Sequence, residues 1–174
     1  MKNQLSLSLL ILFISTLSIS CKKEKIQENS SIDILPAFEK TIGGAQNDVA
    51  KSILIKNNEL YIFGTTKSMG DLNGDHYLVK TDLNGTLISE HIYGGALEEE
   101  GIDIIETNDG NFILLGSTAS SGAGQKDIHV IKIDNSGNII WEKTYGGLLE
   151  DTPQEIIELS NNAPPNAQLI FGAP

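Results

Sequence analysis

The sequence predicts an all-β fold made of small antiparallel sheets that repeat along the chain. A Gly-Gly motif begins at Gly43, Gly94 and Gly146, with spacings of 51 and 52 residues. Between these motifs, segments rich in β-branched and aromatic residues alternate with Asn, Asp and Gly, which form hairpin turns. A fixed period of about 50 residues indicates a repeat architecture.

The first 20 residues differ from the rest and read as an export signal. Lys2 is followed by an apolar stretch from Leu5 to Ile19, broken only by Ser and Thr. A transmembrane helix needs about 20 apolar residues, whereas the apolar core of a secretory signal needs roughly 7 to 15. The stretch closes with Leu-Ser-Ile-Ser before Cys21, which resembles the lipobox of bacterial lipoproteins. The resemblance implies a lipoprotein signal peptide at 1–20 and lipid on Cys21.

A membrane partner follows from the same resemblance, through the lipid on Cys21. No Asp follows Cys21, so the resemblance implies sorting to the outer membrane of a Gram-negative bacterium, facing the periplasm or the cell surface. Residues 21–36 are polar and lack periodicity, which predicts a flexible tether after the lipidated cysteine. The repeat domain is predicted at 37–174.

Within the repeats, two further landmarks recur in phase with the Gly-Gly motif. Residues 60–66 match 112–118, and residues 75–82 match 127–134. We expect one complete four-stranded unit at 52–92, a second at 103–145, and two strands of a third at 155–172. Residues 37–42 match the end of each unit, and we expect them to form an outer strand.

Each complete repeat has a Gly-Gly motif, an acid four residues later, an apolar strand closing in Gly-Thr-Thr or Gly-Ser-Thr, and a Lys-x-Asp motif. This order resembles the seven-bladed β-propeller repeats of bacterial secreted and surface proteins. The resemblance implies β-propeller-like blades of four antiparallel strands, incomplete at about two and a half blades. Propellers close with roughly 4 to 8 blades, so we expect a truncated or fragmentary chain. A β-helix is the alternative repeat fold.

Composition excludes several classes of partner and site. The chain has 12 Lys+Arg, all of them lysine, against 23 Asp+Glu, and its net charge is −11. That charge repels polyanions, and without arginine no bidentate contact to phosphate or guanine can form, so we expect no nucleic acid partner. One cysteine excludes an internal disulfide and a cysteine-rich metal site.

The acidic loops are the candidate binding site. Strand direction alternates, so the sequence predicts that these acids share one edge of the sheets: Asp48, Glu99, Asp151, Asp71 and Asp75. An acidic edge attracts cations or a basic protein surface. The alternative is structural, because Asp48, Glu99 and Asp151 occupy one repeat position and could each accept backbone N–H bonds in a loop.

No metal, cofactor or catalytic site is expected. Asp71 and Asp82 have the end-to-end spacing of a calcium loop, but residues 76–82 are predicted to form a strand, which cannot wrap an ion. His76, His91 and His129 fall at unrelated repeat phases, and we interpret them as ordinary sheet residues. No nucleophile motif or phosphate loop occurs.

These observations favour a non-catalytic, lipid-anchored module outside the cytoplasm that binds a protein or a glycan. One alternative is a fragment of a propeller enzyme, either quinoprotein-like or glycan-cleaving. Another is an inactive gene remnant. The repeats themselves specify architecture rather than activity.

Overall fold

The structure is a computed structural model that describes residues 39–159 and 169–172. The chain divides into two units, Met1–Ala37 and Phe38–Pro174, and the described residues belong to the second. The predicted signal peptide, Cys21 and the tether lie outside the described residues. Among the described residues, no helix has the length and apolar character needed to cross a membrane.

The first sheet, sheet A, contains four antiparallel strands in sequence order. Its strands are β1 (Asp48–Lys56), β2 (Glu59–Thr66), β3 (Asp75–Asp82) and β4 (Leu87–Tyr93). The β1–β2 hairpin turns on Asn57 and Asn58, whose φ angles of 52° and 63° fit a type I′ turn. Asn adopts this left-handed backbone more readily than other non-glycine residues, so the predicted turn is confirmed.

The second sheet, sheet B, repeats this arrangement one period later. Its strands are β5 (Glu99–Glu106), β6 (Phe112–Thr118), β7 (Asp127–Ile133) and β8 (Ile139–Tyr145). The register of the first pair shifts between Gly101 and Asp103, as it does between Ala50 and Ser52 in sheet A. The strands continue past these shifts, so the first strands start at 48 and 99, four residues before the expected starts at 52 and 103.

A third sheet, sheet C, pairs β9 (Glu155–Glu158) with β10 (Leu169–Gly172). The predicted all-β fold is therefore confirmed, as are two antiparallel four-stranded sheets followed by two further strands. Every strand pairs with a sequence neighbour, so no crossover occurs among the described strands.

The three sheets stack face to face, and apolar side chains fill the two interfaces. Between sheets A and B, Tyr61, Phe63 and Leu78 pack against Phe112 and Leu114. The other face of sheet B packs against Ile156 of β9 through a separate cluster: Ile113, Leu115, Ile128 and Val130. Strand β6 is therefore apolar on both faces, because it is covered on both sides.

The structure corrects one element. Residues 39–42 form no strand, although they match the end of β4 in the repeat. A strand needs a hydrogen-bonded neighbour, and no described strand pairs with these residues. Residues 40–42 line an open cavity of about 270 Å³ together with Ile62, Tyr77 and Val79 on the outer face of sheet A.

Candidate functional site

The candidate site lies at one edge of the stacked sheets, which we call the loop rim. It comprises the loops 67–74, 94–98, 119–126 and 146–154, which join β2 to β3, β4 to β5, β6 to β7 and β8 to β9. Antiparallel neighbours reverse direction, so these connections all fall at the same end of the strands. The five predicted acids lie at this rim.

Asp48 caps the loop that precedes β1. Its carboxylate accepts hydrogen bonds from the Gly44 amide at 2.8 Å, the Thr66 hydroxyl at 2.5 Å and the Ser68 hydroxyl at 2.7 Å. Burial opposes ionisation of this carboxyl, but these hydrogen bonds outweigh it and lower the pKa of Asp48 to about 2. The carboxylate therefore stays ionised and organises its own loop.

Glu99 and Asp151 repeat this arrangement at the following sheets. Glu99 is fully buried and accepts from the Gly95 amide at 2.9 Å and the Thr118 hydroxyl at 2.8 Å. Asp151 accepts from the Gly147 amide at 2.9 Å. The structure thus shows the capping role, which was the alternative for this repeat position, at each of the three sheets.

Asp75 lies beside Glu99 in the junction between sheets A and B. Its side chain is 3% exposed and accepts from the Asp71 amide at 2.5 Å. Burial raises the pKa of Asp75, the Asp71 hydrogen bond opposes this, and the neighbouring Glu99 raises it further. A Cβ on Gly94 would collide with both carboxyl groups, which explains the first glycine of the repeated Gly-Gly motif.

Asp71 binds within its own loop and does not join a calcium loop. It accepts from the Asn73 backbone at 2.9 Å and the Asn73 side chain at 2.7 Å. Asp82 lies at the other end of β3, where it accepts from the Asn84 and Thr86 amides in the next turn. The predicted strand at 76–82 is confirmed, and it separates the two acids. Within the described residues, no three His, Cys, Asp or Glu side chains converge to hold a metal ion.

The loops of the rim are joined to one another across the sheets. The Glu99 amide donates to the Gly74 carbonyl at 2.8 Å, and the Asp151 amide donates to the Lys126 carbonyl at 2.7 Å. Lys126 also forms an ion pair with Glu98 at 3.1 Å. These contacts hold neighbouring loops in a fixed arrangement, which limits the entropy lost when a ligand binds there.

Exposed leucines are the functional candidates that the sequence analysis missed. Leu72 is 73% exposed, Leu97 52% and Leu148 81%. Leu72 and Leu97 line an open cleft of about 410 Å³ together with Lys67, Asn73, Glu98 and Ala119. The available signal was their position: apolar residues inside loops that otherwise contain Gly, Asn and acids.

Two histidines that the sequence analysis treated as unrelated meet between sheets A and B. His76 Nε2 lies 3.2 Å from His129 Nδ1, and His129 Nε2 lies 3.3 Å from a Glu142 carboxylate oxygen. Burial lowers the pKa of His76 to about 3, with a contribution from His129. Burial also lowers the pKa of His129, although Glu142 opposes the shift.

The positions of the protons on His76 and His129 follow from the carboxylate of Glu142 at one end of this chain of hydrogen bonds. Glu142 is an acceptor when ionised, so His129 Nε2 carries the proton facing it, and His129 Nδ1 then accepts from His76 Nε2. His76 Nδ1 is left as a buried acceptor without a hydrogen-bond partner. His129 and Glu142 line a second open cleft, of about 370 Å³, together with Ser120 and Ser121.

Comparison with known proteins gives no family assignment. No family model and no curated protein matches this sequence. Membership of the propeller repeat family therefore stays a prediction from the sequence motifs. The site is interpreted below from its own geometry.

Proposed function

We propose that the chain is a lipid-anchored, non-catalytic binding module whose β-propeller-like blades present the loop rim to a protein partner outside the cytoplasm. The observation that carries this proposal is the cleft between Leu72 and Leu97. Two exposed leucines from different loops flank it, and the hydrogen bonds between the loops hold it in place. Exposed apolar residues within a polar surround are typical of protein interaction sites.

Asp75 and Asp127, which begin β3 and β7, support a binding role because they hold the loop backbone while the other loop positions vary. Loops 67–74 and 119–126 have the same length but share few residues. Asp75 accepts from the Asp71 amide, and Asp127 accepts from the Ala123 amide, each at 2.5 Å. A common backbone frame with different side chains is the arrangement by which loops on a rigid scaffold provide recognition.

The charge of the rim specifies the chemistry of the partner. Glu98 borders the cleft, and Glu150 is exposed on the last loop of the rim. A partner that pairs lysine or arginine side chains with an apolar residue would complement this surface. Leucine contacts would supply the buried core of such an interface, and the acids would supply its rim.

The test is site-specific photo-crosslinking of the full chain in the cell envelope of a Gram-negative bacterium. A photo-crosslinking residue at position 72 should give a discrete protein adduct. The matched control carries the same residue at position 87, because Leu87 is 46% exposed and starts β4 at the opposite edge. Leu97→Glu should remove the adduct from position 72.

Two results would contradict a protein-binding rim. One is an equal adduct from positions 72 and 87, which would indicate nonspecific contact. The other is an adduct that persists unchanged with Leu97→Glu.

The lipid anchor is a separate part of the proposal and rests on the resemblance around Cys21. Labelled palmitate should enter the native chain and be absent from Cys21→Ala. The variant should also leave the membrane fraction, because the diacylglycerol on the Cys21 thiol supplies the two acyl chains that stable anchoring takes. Equal labelling of the two chains would refute lipidation at Cys21 and leave the binding proposal standing.

A small polar ligand such as a glycan is a second candidate, and the cleft at Glu142 favours it. That cleft brings together hydroxyl, imidazole and carboxylate groups from Ser120, Ser121, His129 and Glu142. Such groups hydrogen-bond sugar hydroxyls well. Binding to a glycan array that is lost with Glu142→Ala, and retained with Leu72→Ala, would assign the ligand to this cleft.

A further inference from the structure

Three isoleucines at one repeat position differ sharply in exposure. Ile53, Ile104 and Ile156 each lie five residues after the capping acid of their sheet. Ile104 is 3% exposed and Ile156 is 2% exposed, because each faces the preceding sheet in the stack. Ile53 of sheet A is 63% exposed. We call the face that carries this position the front face of each sheet.

The residue that follows each of these isoleucines lies on the opposite face of its sheet, which we call the back face. Here the exposed residue belongs to the last sheet instead of the first. Leu54 packs into the core between sheets A and B, and Ile105 packs into the core between sheets B and C. Their equivalent in sheet C, Ile157, is 50% exposed. The stack thus has an uncovered front position on sheet A and an uncovered back position on sheet C.

The front face of sheet A is apolar beyond this one position. Ile55 is 67% exposed and lies on the same side of β1 as Ile53. Within the chain, the front faces of sheets B and C are each covered by the back face of the preceding sheet. This order is head-to-tail, so the same contact can be repeated between molecules.

We propose that the part of the front face of sheet A around Ile53 and Ile55, outside the pocket that residues 40–42 line, binds the back face of sheet C in a second copy of this chain. The internal interfaces supply the complementary surfaces, and the proposal does not depend on the binding function of the loop rim. A polar contact also repeats. Asp103 accepts from the Ser52 hydroxyl at 2.8 Å and from the Ile156 amide at 3.3 Å. In the assembly, the exposed Glu155 takes the place of Asp103 and faces the second copy's β1.

The test is cysteine crosslinking between two differently tagged full chains in the same cells. One chain carries Ile53→Cys and the other Ile157→Cys, and a bismaleimide reagent spans about 10 Å, the separation of stacked sheets. We expect a product containing both tags. Pairs of identical variants, Ile53→Cys with itself or Ile157→Cys with itself, should give none.

The matched control replaces Ile53→Cys by Leu72→Cys, which is similarly exposed but lies on the loop rim. A chain with Cys21 as its single cysteine measures background from that residue. Adding Ile55→Glu to the Ile53→Cys chain should abolish the product, because a charge would be buried in the contact. Circular dichroism verifies that this variant keeps its β structure.

Several outcomes overturn the proposal. A dominant product between two Ile53→Cys chains would indicate a symmetric contact between front faces. A crosslink from position 53 to residues 1–37 of the same chain would show that another segment occupies this face. Equal products from Leu72→Cys and Ile53→Cys, or no mixed product at all, would exclude a specific head-to-tail contact.

Discussion

Acidification should destabilise the fold through the buried histidine pair. The pKa of His76 falls from its ordinary value of 6.5 to about 3 in the folded chain. An unfolded chain therefore binds this proton more readily than a folded one. The stabilising effect is complete above pH 6.5 and is lost progressively as the pH falls from 6.5 towards 3.

The loss of unfolding free energy depends on how far the pH lies below 6.5, the ordinary pKa of a histidine in the unfolded chain. At pH 5.0, protonation of His76 in the unfolded chain alone should cost about 2 kcal/mol of unfolding free energy. His129 adds a loss in the same direction, because its pKa is also lowered. Asp75 acts in the opposite sense, since its raised pKa favours the folded chain in acid.

Urea unfolding at pH 7.5 and pH 5.0 measures the difference directly. The His76→Gln variant keeps a hydrogen-bonding side chain beside His129 that cannot titrate. Between pH 7.5 and pH 5.0 its unfolding free energy should therefore fall by about 2 kcal/mol less than that of the native chain. His91→Gln replaces a partly exposed histidine and should retain most of the native loss. If His76→Gln loses as much stability as the native chain, His76 does not carry the acid sensitivity.

Two further predictions concern the loop rim. Gly94→Ala should lower the unfolding free energy by roughly 1–3 kcal/mol, because the added Cβ would meet the carboxyl groups of Asp75 and Glu99. Gly147→Ala is the matched control: a Cβ there has no neighbour within 4 Å, so the same urea assay should show little change. Millimolar calcium should leave the midpoint of thermal unfolding unchanged, because Asp71 lies in the loop before β3 and Asp82 is the last residue of that strand. A calcium site filled at 100 times its Kd would instead add about 2.7 kcal/mol to the unfolding free energy. A calcium shift that Asp71→Ala abolishes would contradict this second prediction.

The sheets could be predicted from sequence because their signals are local and repeated. Turn residues such as Asn57 and Asn58 mark the hairpins, and apolar runs such as 112–115 mark strands that are covered on both faces. The lack of a strand at 39–42 could not be predicted in the same way. Its sequence matches β4, but a strand depends on a partner, which is a property of the surroundings rather than of the segment.

The histidine pair shows why matching repeat positions is insufficient. His76 is the second residue of β3, and His129 is the third residue of β7. Successive residues of a strand face opposite sides. Two residues that are one position out of phase in neighbouring repeats therefore face each other across the interface. A search for side chains at the same phase overlooks such pairs.

The rim leucines were overlooked for a different reason. The sequence analysis selected the acids because charge is a visible signal for binding. Glu99 and Asp75 are buried and engaged with their own loops, whereas Leu72 and Leu97 are exposed. Exposure is a tertiary property, and no local pattern distinguishes a capping acid from a free one.

The pairing of every strand with its sequence neighbour also bears on how the chain folds. Sheets A and B can each form from hairpins that close over two to eight residues, so little loop entropy is lost before native contacts stabilise the product. Docking of one completed sheet on the next can follow as a later event. Replacements in the Asn57-Asn58 turn should then slow folding, whereas replacements at Phe63 or Leu114 in the interface should mainly accelerate unfolding.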